Sequence, residues 1–139
     1  MATYLAMKLV AFRDPAWARM IGSLLGGSVD YVFSSIDALN CAAKRKPHLI
    51  FLSSYLADPA MIAKLLQRSP QSLVVYVTRC LTNRQRQAAL DSGAYEALDY
   101  FTEDFPHKVA AVVEVAAEVR GATSSSTLPQ LAPVLRLLP

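Results

Sequence analysis

Apolar and polar residues form blocks of two kinds along this chain. Short, nearly continuous apolar runs occupy residues 4–12, 29–33, 48–52, 73–77 and 95–100. Runs of this length that do not alternate with polar residues are typical of strands buried on both faces of a sheet. The run at 73–77 (LVVYV) gives the clearest strand signal, and the run at 95–100 gives a weaker one.

The segments between these runs have helical spacing. The first helix follows Asp14-Pro15, an N-cap and a first-turn proline, and ends at Gly26-Gly27. Its apolar residues recur on one face: Trp17, Met20, Ile21, Leu24 and Leu25. Further helices are predicted from 34 to 46, from 58 to the turn at 69–71, from 83 to 92 and from 104 to 120. Five strands alternating with five helices predict an α/β domain with a parallel sheet covered on both sides.

Composition limits the classes of protein that fit this pattern. The chain has 139 residues, 53% of them apolar and 18% charged, which is typical of one globular domain. We place that domain at 1–121, followed at 122–139 by a linker and an apolar tail that contains prolines. The net charge of +3 comes from scattered basic residues, apart from 44–46 and a group at Arg79, Arg84 and Arg86. Direct nucleic-acid binding would need a denser basic stripe.

Two further observations concern location and metal binding. The N-terminus does not have the pattern of a signal peptide, and no apolar stretch reaches the length of a membrane span, so we expect a cytoplasmic protein without membrane contact. Cys41 and Cys80 lie far apart and lack metal-ligand spacing. We therefore expect free thiols, no metal and no cofactor.

Four local segments carry a resemblance to a known family. They are Asp14-Pro15 after the first strand, residues 47–52 (PHLIFL) at the third, the fourth strand ending in Thr78, and residues 93–98 (GAYEAL) entering the fifth. In this order they resemble the receiver domains of bacterial response regulators, the CheY-like family, over about residues 4–120. The resemblance implies a three-layer, doubly wound, flavodoxin-like domain with a five-stranded parallel sheet in the order 2-1-3-4-5.

The same resemblance implies a phosphorylation pocket whose chemistry has been lost. The acidic pair that holds Mg²⁺ in the family falls on Phe12 and Arg13, and a shift of one residue adds only Asp14. The phosphoacceptor aspartate falls on Ser53, and the lysine that neutralises the phosphoryl group falls on Tyr100. Thr78 alone remains of the switching residues, and the loop at 53–58 is shorter than the family's. We expect the bulky residues Phe12 and Tyr100 to fill part of this pocket.

An interaction surface is predicted where the family binds its partners, on the fourth helix, fifth strand and fifth helix. Besides a buried stripe, the fifth helix carries a second apolar stripe, made of Ala111, Val115 and Val119. The charged residues nearby suit ion pairs between subunits: Arg84, Arg86, Glu96, Asp99, Glu114 and Glu118. We expect a homodimer through this face, and other regulatory proteins or a missing C-terminal effector domain as further partners. The alternative is a helix face of small residues with a few exposed valines.

The sequence leaves two other functional classes open. The degenerate pocket could sense a small ligand, with Arg13 and Thr78 binding an anion. Ser53 lies where doubly wound sheets place active sites, but no Gly-x-Ser-x-Gly motif surrounds it and neither His48 nor His107 is placed as a base. We therefore predict a signalling or interaction module that works without phosphorylation, and not an enzyme. The tail at 128–139 is predicted to be a linker into an effector domain, a short docking segment or a segment that folds back onto the domain.

Overall fold

The structure, a computed structural model, describes residues 7–124, and for 119–124 it describes the backbone alone. The sheet consists of β1 (Lys8–Ala11), β2 (Val29–Val32), β3 (Leu49–Ser53), β4 (Leu73–Thr78) and β5 (Glu96–Asp99). The helices are α1 (Pro15–Leu25), α2 (Ser35–Arg45), α3 (Ala60–Arg68), α4 (Asn83–Asp91) and α5 (Phe105–Ser124). All strand pairs are parallel, and the order is β2-β1-β3-β4-β5. The predicted fold class and strand order are confirmed.

Each face of the sheet has its own hydrophobic core. The helices α1 and α5 cover one face through Ala18, Ile21, Val109, Val112 and Ala116. The helices α2, α3 and α4 cover the other through Ala38, Ala42, Ile62, Leu65 and Ala89. Residues of the central strand β3 alternate between the two cores, because successive side chains of a strand point to opposite faces.

Local sequence signals fix several helix ends. Asp14 caps α1 by accepting a hydrogen bond from the Ala16 N–H at 2.9 Å, and Gly26 ends that helix with a φ of 67° that favours glycine. Thr82 caps α4 in a reciprocal capping box with Gln85. This box positions a helix whose apolar pattern is weak, since Ala89 is its one fully buried residue.

The observed bounds differ from the predicted ones mainly at the ends of strands. β5 was predicted over 95–100 but covers Glu96–Asp99, and β3 runs one residue later than predicted, over Leu49–Ser53. α5 continues to Ser124, past the predicted end at 120, so Gly121 lies within the helix rather than ending it. The division into 1–121 and 122–139 stays a prediction, and the tail at 128–139 lies outside the described residues.

The strand register brings four chain segments to one edge of the sheet. Ala11 is level with Leu52, Ser53 with Val77, and Thr78 with Asp99. The carboxyl ends of β1, β3, β4 and β5 therefore lie side by side. In open parallel sheets this is the edge at which ligands bind.

Candidate functional site

A cavity of about 450 Å³ and another of about 300 Å³ are the two surface features that bear on function. The smaller one, called here the edge cavity, opens at the carboxyl edge of the sheet. It is lined by Phe12, Arg13, Asp14, Trp17, Ser53, Tyr55, Arg79 and Tyr100. Five of the six residues predicted for the degenerate pocket thus lie together, since Thr78 is the one that does not line it.

Aromatic rings form most of the edge cavity's inner wall. Phe12 is 1% exposed and Tyr100 is 7% exposed, so both belong to the core under α1 and α5. The Tyr100 ring packs on Trp17 with centroids 4.3 Å apart, and edge-on against Phe101 at 5.3 Å. The two bulky residues fill the inner part of the site, yet a cavity of about 300 Å³ stays open outside them.

The hydroxyl groups beside the cavity are held by internal hydrogen bonds. Thr78 is buried, and its Oγ1 lies 2.9 Å from Ser54 Oγ, which donates to it, and 3.1 Å from the carbonyl oxygen of Arg79. Thr78 does not line the cavity, and the binding of an anion by Arg13 and Thr78 together stays a prediction. Ser53 Oγ accepts from the Tyr55 N–H at 3.1 Å, which leaves its own hydrogen for another acceptor.

The charges at the edge cavity are mainly cationic. Arg13 and Arg79 line it, and neither forms an ion pair within the described part of the chain. Arg79 instead lies over the Phe101 ring at 4.8 Å from its centroid. Asp14 is the one carboxylate in the lining, and it is already used to cap α1.

The residues present do not fit the Mg²⁺ that this kind of edge holds in the family the sequence resembles. Mg²⁺ prefers oxygen ligands in octahedral geometry, usually with carboxylates among them. Here an aromatic ring and a guanidinium stand beside a single capping carboxylate. Among residues 7–124 no group of three or more His, Cys, Asp or Glu side chains is placed to hold a metal ion.

Burial and neighbouring charges act on the titration of Tyr100. Burial raises the pKa of this phenol, the Tyr55, Asp14 and Asp99 groups raise it further, and the Arg79 guanidinium opposes them. Tyr100 is therefore a neutral ring at neutral pH. Its ring adds aromatic surface to the cavity, at the position where the resemblance to the family predicts a lysine.

The larger cavity is a groove lined by residues on and next to α4, β5 and α5. This α4-β5-α5 groove is lined by Arg86, Tyr95, Glu96, Leu98, Lys108, Ala111, Val112 and Val115. Ala111 is exposed and Val115 is half-buried, so the second stripe of α5 does face outward. Of the five residues predicted for an interaction face, Arg86, Ala111 and Val115 line the groove. Arg84 is exposed but does not line it, and the side chain of Val119 lies outside the described residues.

The charged residues around the groove are paired within one chain. Arg86 contacts Glu96 at 2.8 Å, and Lys108 contacts Asp104 at 3.4 Å. Asp99, which we expected among the ion pairs between subunits, accepts hydrogen bonds from the N–H groups of Leu81 and Phe101 at 2.9 Å each. Arg86, Glu96 and Asp99 thus each have a partner within one chain, and ion pairs between subunits stay a prediction.

Comparison with known proteins identifies the fold. No protein-family model matches the chain, and no curated protein matches it. The solved structure of NtrX from Brucella abortus in complex with ADP superposes with a TM-score of 0.76 at 20% identity over 89% of this chain, which spans 29% of NtrX. A signal receiver domain from Vibrio parahaemolyticus gives 0.76 at 15% identity, covering 88% of this chain and 98% of its own. The chain has the receiver fold.

A third similar structure contains a phosphorylated residue. A response regulator from Burkholderia pseudomallei, solved with a phosphorylated aspartic acid, has a TM-score of 0.70 at 20% identity over 87% of this chain and 74% of its own. In the present receiver fold, Ser53 ends β3, and a serine offers no carboxylate. At these identities the comparisons establish the fold, and the site must be judged on its own residues.

Sequence reasoning missed three residues of this receiver fold's edge cavity, namely Trp17, Tyr55 and Arg79. Trp17 was assigned to the apolar stripe of a helix, and Arg79 to a scattered basic group. Arg79 directly follows β4, which was the signal that could have placed it at the carboxyl edge.

No helix within residues 7–124 is long and apolar enough to cross a membrane.

Neither histidine is beside Ser53. His48 precedes β3 at the far end of the sheet, where its Nδ1 accepts from the Met7 N–H at 3.0 Å. His107 is exposed near the start of α5 and does not line the edge cavity. Ser53 thus has no histidine beside it in the edge cavity to act as a general base.

Proposed function

We propose that this domain is a receiver-like signalling module that works without phosphorylation, and that it binds a second copy of itself through the α4-β5-α5 groove. The observation that carries the first half is the residue set of the edge cavity. Acyl-phosphate formation needs a carboxylate nucleophile, a bound divalent cation and a neutralising cation near the fifth strand. Ser53, Arg13 and Tyr100 supply none of these in the required places.

The second half of the proposal rests on the groove. Its floor is apolar where Leu98, Val112 and Val115 meet, and exposed Ala111 adds a small side chain that lets another backbone approach closely. Apolar surface left open beside paired charges is typical of the core and rim of protein interfaces.

A second copy suits this surface because the rim carries both signs of charge. Arg86 and Lys108 stand beside Glu96 and Asp104. With both signs present, a two-fold arrangement of two grooves can place the cations of one copy near the carboxylates of the other, which sets orientation even where it adds little affinity. The module is proposed to act in the cytoplasm, in a regulatory protein, with no catalytic activity of its own.

Sedimentation velocity tests the dimer. We expect the unmodified domain to dimerise reversibly, and Ala111→Glu and Val115→Glu each to weaken the dimer by at least about tenfold, because a carboxylate would be desolvated in the interface. Ile36→Glu is the matched control, since Ile36 is an apolar residue on α2 that is 70% exposed and far from the groove. A domain that stays monomeric at all concentrations refutes the dimer. An equal weakening of the dimer by Ile36→Glu refutes the placement of the interface in the groove.

Mass spectrometry tests the other half. We expect no phosphoryl adduct on the intact chain after incubation with acetyl phosphate and Mg²⁺, because β3 ends in Ser53 where the phosphoacceptor would be an aspartate. A receiver with an aspartate at the end of its third strand serves as the positive control in the same reaction. A stable adduct on this chain would contradict the proposal.

A further inference from the structure

We infer that the edge cavity binds a small planar aromatic carboxylate, of one or two rings. This inference goes beyond the interaction module proposed above and does not depend on it. It starts from the cavity's size, since about 300 Å³ is at the small end of the range for ligand pockets. A single- or double-ring acid fills such a volume, whereas a peptide or a nucleotide does not fit within it.

The walls favour a flat, unsaturated ligand. Trp17 and Tyr100 form a packed aromatic pair on one side, and Phe101 stands edge-on to Tyr100. Tyr55 and Phe101 are each 52% exposed, so two large rings near one opening keep apolar surface that a ligand can cover. Rings with free faces and edges at a cavity mouth bind another ring in offset or edge-to-face arrangements.

The charges favour an anion. Arg13 and Arg79 border the cavity and lack an ion pair among the described residues, while the one lining carboxylate is engaged with the Ala16 N–H. A guanidinium binds a carboxylate through two parallel hydrogen bonds. Arg79 is already oriented by its stacking on Phe101, which reduces the entropy lost when it binds a ligand.

One hydroxyl adds direction to the site. Ser53 is 3% exposed and lines the cavity floor, and its Oγ accepts from the Tyr55 N–H while its own hydrogen is free to donate. A ligand carboxylate reaching inward between the two arginines meets this donor. The cavity thus combines aromatic walls, two cations at the rim and a hydroxyl donor at the floor.

Titration of the folded domain with benzoate and 2-naphthoate tests the inference. Trp17 is the single tryptophan of the chain and lines the cavity, so its fluorescence reports on this site alone. We expect saturable quenching with a matching calorimetric isotherm for both aromatic acids. Benzamide lacks the charge, and acetate and inorganic phosphate lack the ring, so each should bind at least about tenfold more weakly.

Variants locate the binding. Arg13→Gln and Arg79→Gln should each weaken binding of 2-naphthoate by about tenfold or more, and Phe101→Ala should weaken it several-fold, because each removes one recognised contact. Arg84→Gln is the matched control, since Arg84 is exposed on α4 and outside the cavity lining. The inference is overturned if neither acid binds at up to about 10 mM, if phosphate binds as well as 2-naphthoate, or if Arg84→Gln weakens binding equally. None of these results affects the dimer test, which reads a different face.

Discussion

The edge cavity and the α4-β5-α5 groove lie on the same domain but differ in the charge and in the size of the side chains that line them. In the edge cavity large aromatic residues are buried, and two arginines have no ion pair among the described residues. In the groove the open apolar surface includes the small aliphatic residues Ala111 and Val115, and the cations at its rim are paired with carboxylates. From this difference we propose a small anion as the ligand of the edge cavity and a protein as the partner of the groove.

The two regions also differ in how they are joined to the core. Phe12 and Tyr100 are part of the hydrophobic core under α1 and α5, so a change to either ring affects stability. Ala111 and Val115 stand outside that core. We therefore expect mutations of the buried rings of the edge cavity to act on folding first, and mutations in the groove to act on association first.

The largest effect should come from Phe12→Ala. Phe12 is 1% exposed, and removing its ring should lower the free energy of unfolding by about 3–5 kcal/mol through lost transfer energy and the void left behind. Phe101→Ala is the matched control, with a loss of about 1 kcal/mol because that ring is 52% exposed. Urea unfolding followed by circular dichroism measures both. Similar losses at the two positions would contradict the assignment of Phe12 to the core.

Tyr100→Lys restores the residue that a phosphorylatable receiver has, and we expect it to destabilise this one. The ammonium would lie in a site that is 7% exposed, with Arg79 close by, so the loss should be roughly 3 kcal/mol. Tyr100→Phe keeps the ring on Trp17 and should cost less than about 1 kcal/mol. If the lysine variant is as stable as the phenylalanine variant, the edge cavity tolerates a cation and its aromatic wall is not required.

Asp99, the last residue of β5, gives a pH-dependent test. Its carboxylate accepts hydrogen bonds from backbone N–H groups, first that of Phe101 and then those of Leu81 and Cys80, which hold the pKa below its ordinary value of 3.8. A group with a lowered pKa stabilises the fold above its unfolded-state value, and that contribution is lost as the pH falls through the folded-state value. Asp99→Asn should therefore cost about 1 kcal/mol at neutral pH.

The pH profile distinguishes this contribution from a simple packing effect. The difference in free energy of unfolding between the Asp99→Asn variant and the unmodified domain should be constant at neutral pH and shrink below pH 3.8. Glu114→Gln, an exposed change on α5, should show no such profile. A loss at Asp99 that is independent of pH would rule out the charge as its cause.

The smallest effect should be that of Arg86→Gln in the groove. Its ion pair with Glu96 is partly exposed, with side chains 41% and 15% accessible, so the loss of stability should stay under about 1 kcal/mol and decrease in salt. Chemical unfolding at low and high ionic strength measures it. A loss as large as that of Phe12→Ala would mean that the groove is part of the structural core.

Most of the fold was readable from the chain because its signals are local. The apolar runs at 48–52 and 73–77 and the Asp14-Pro15 helix start lie within one residue of the observed elements. The ends of β5 and α5 were less predictable. A strand ends where pairing to its neighbour ends, and Tyr100 follows that point although it is as apolar as the strand itself.

The site was predictable in part for the same reason. Phe12, Ser53 and Tyr100 each follow or end a strand, so element order alone puts them at one edge. Thr78 also ends a strand, yet its hydrogen bond to Ser54 turns it from the cavity, and no pattern in the sequence reports that bond. Arg86 and Glu96 were recognised as complementary charges, but only their packing pairs them within one chain.

The sequence by itself determined the parallel α/β domain and put Phe12, Ser53 and Tyr100 at its carboxyl edge. Those properties depend on residue type and on order along the chain. The tertiary structure alone decided that Trp17, Tyr55 and Arg79 join that edge, that an open volume persists beyond the buried rings, and that the groove's charges are already paired. Such contacts join residues far apart in sequence, and their geometry depends on how the layers pack rather than on any local pattern.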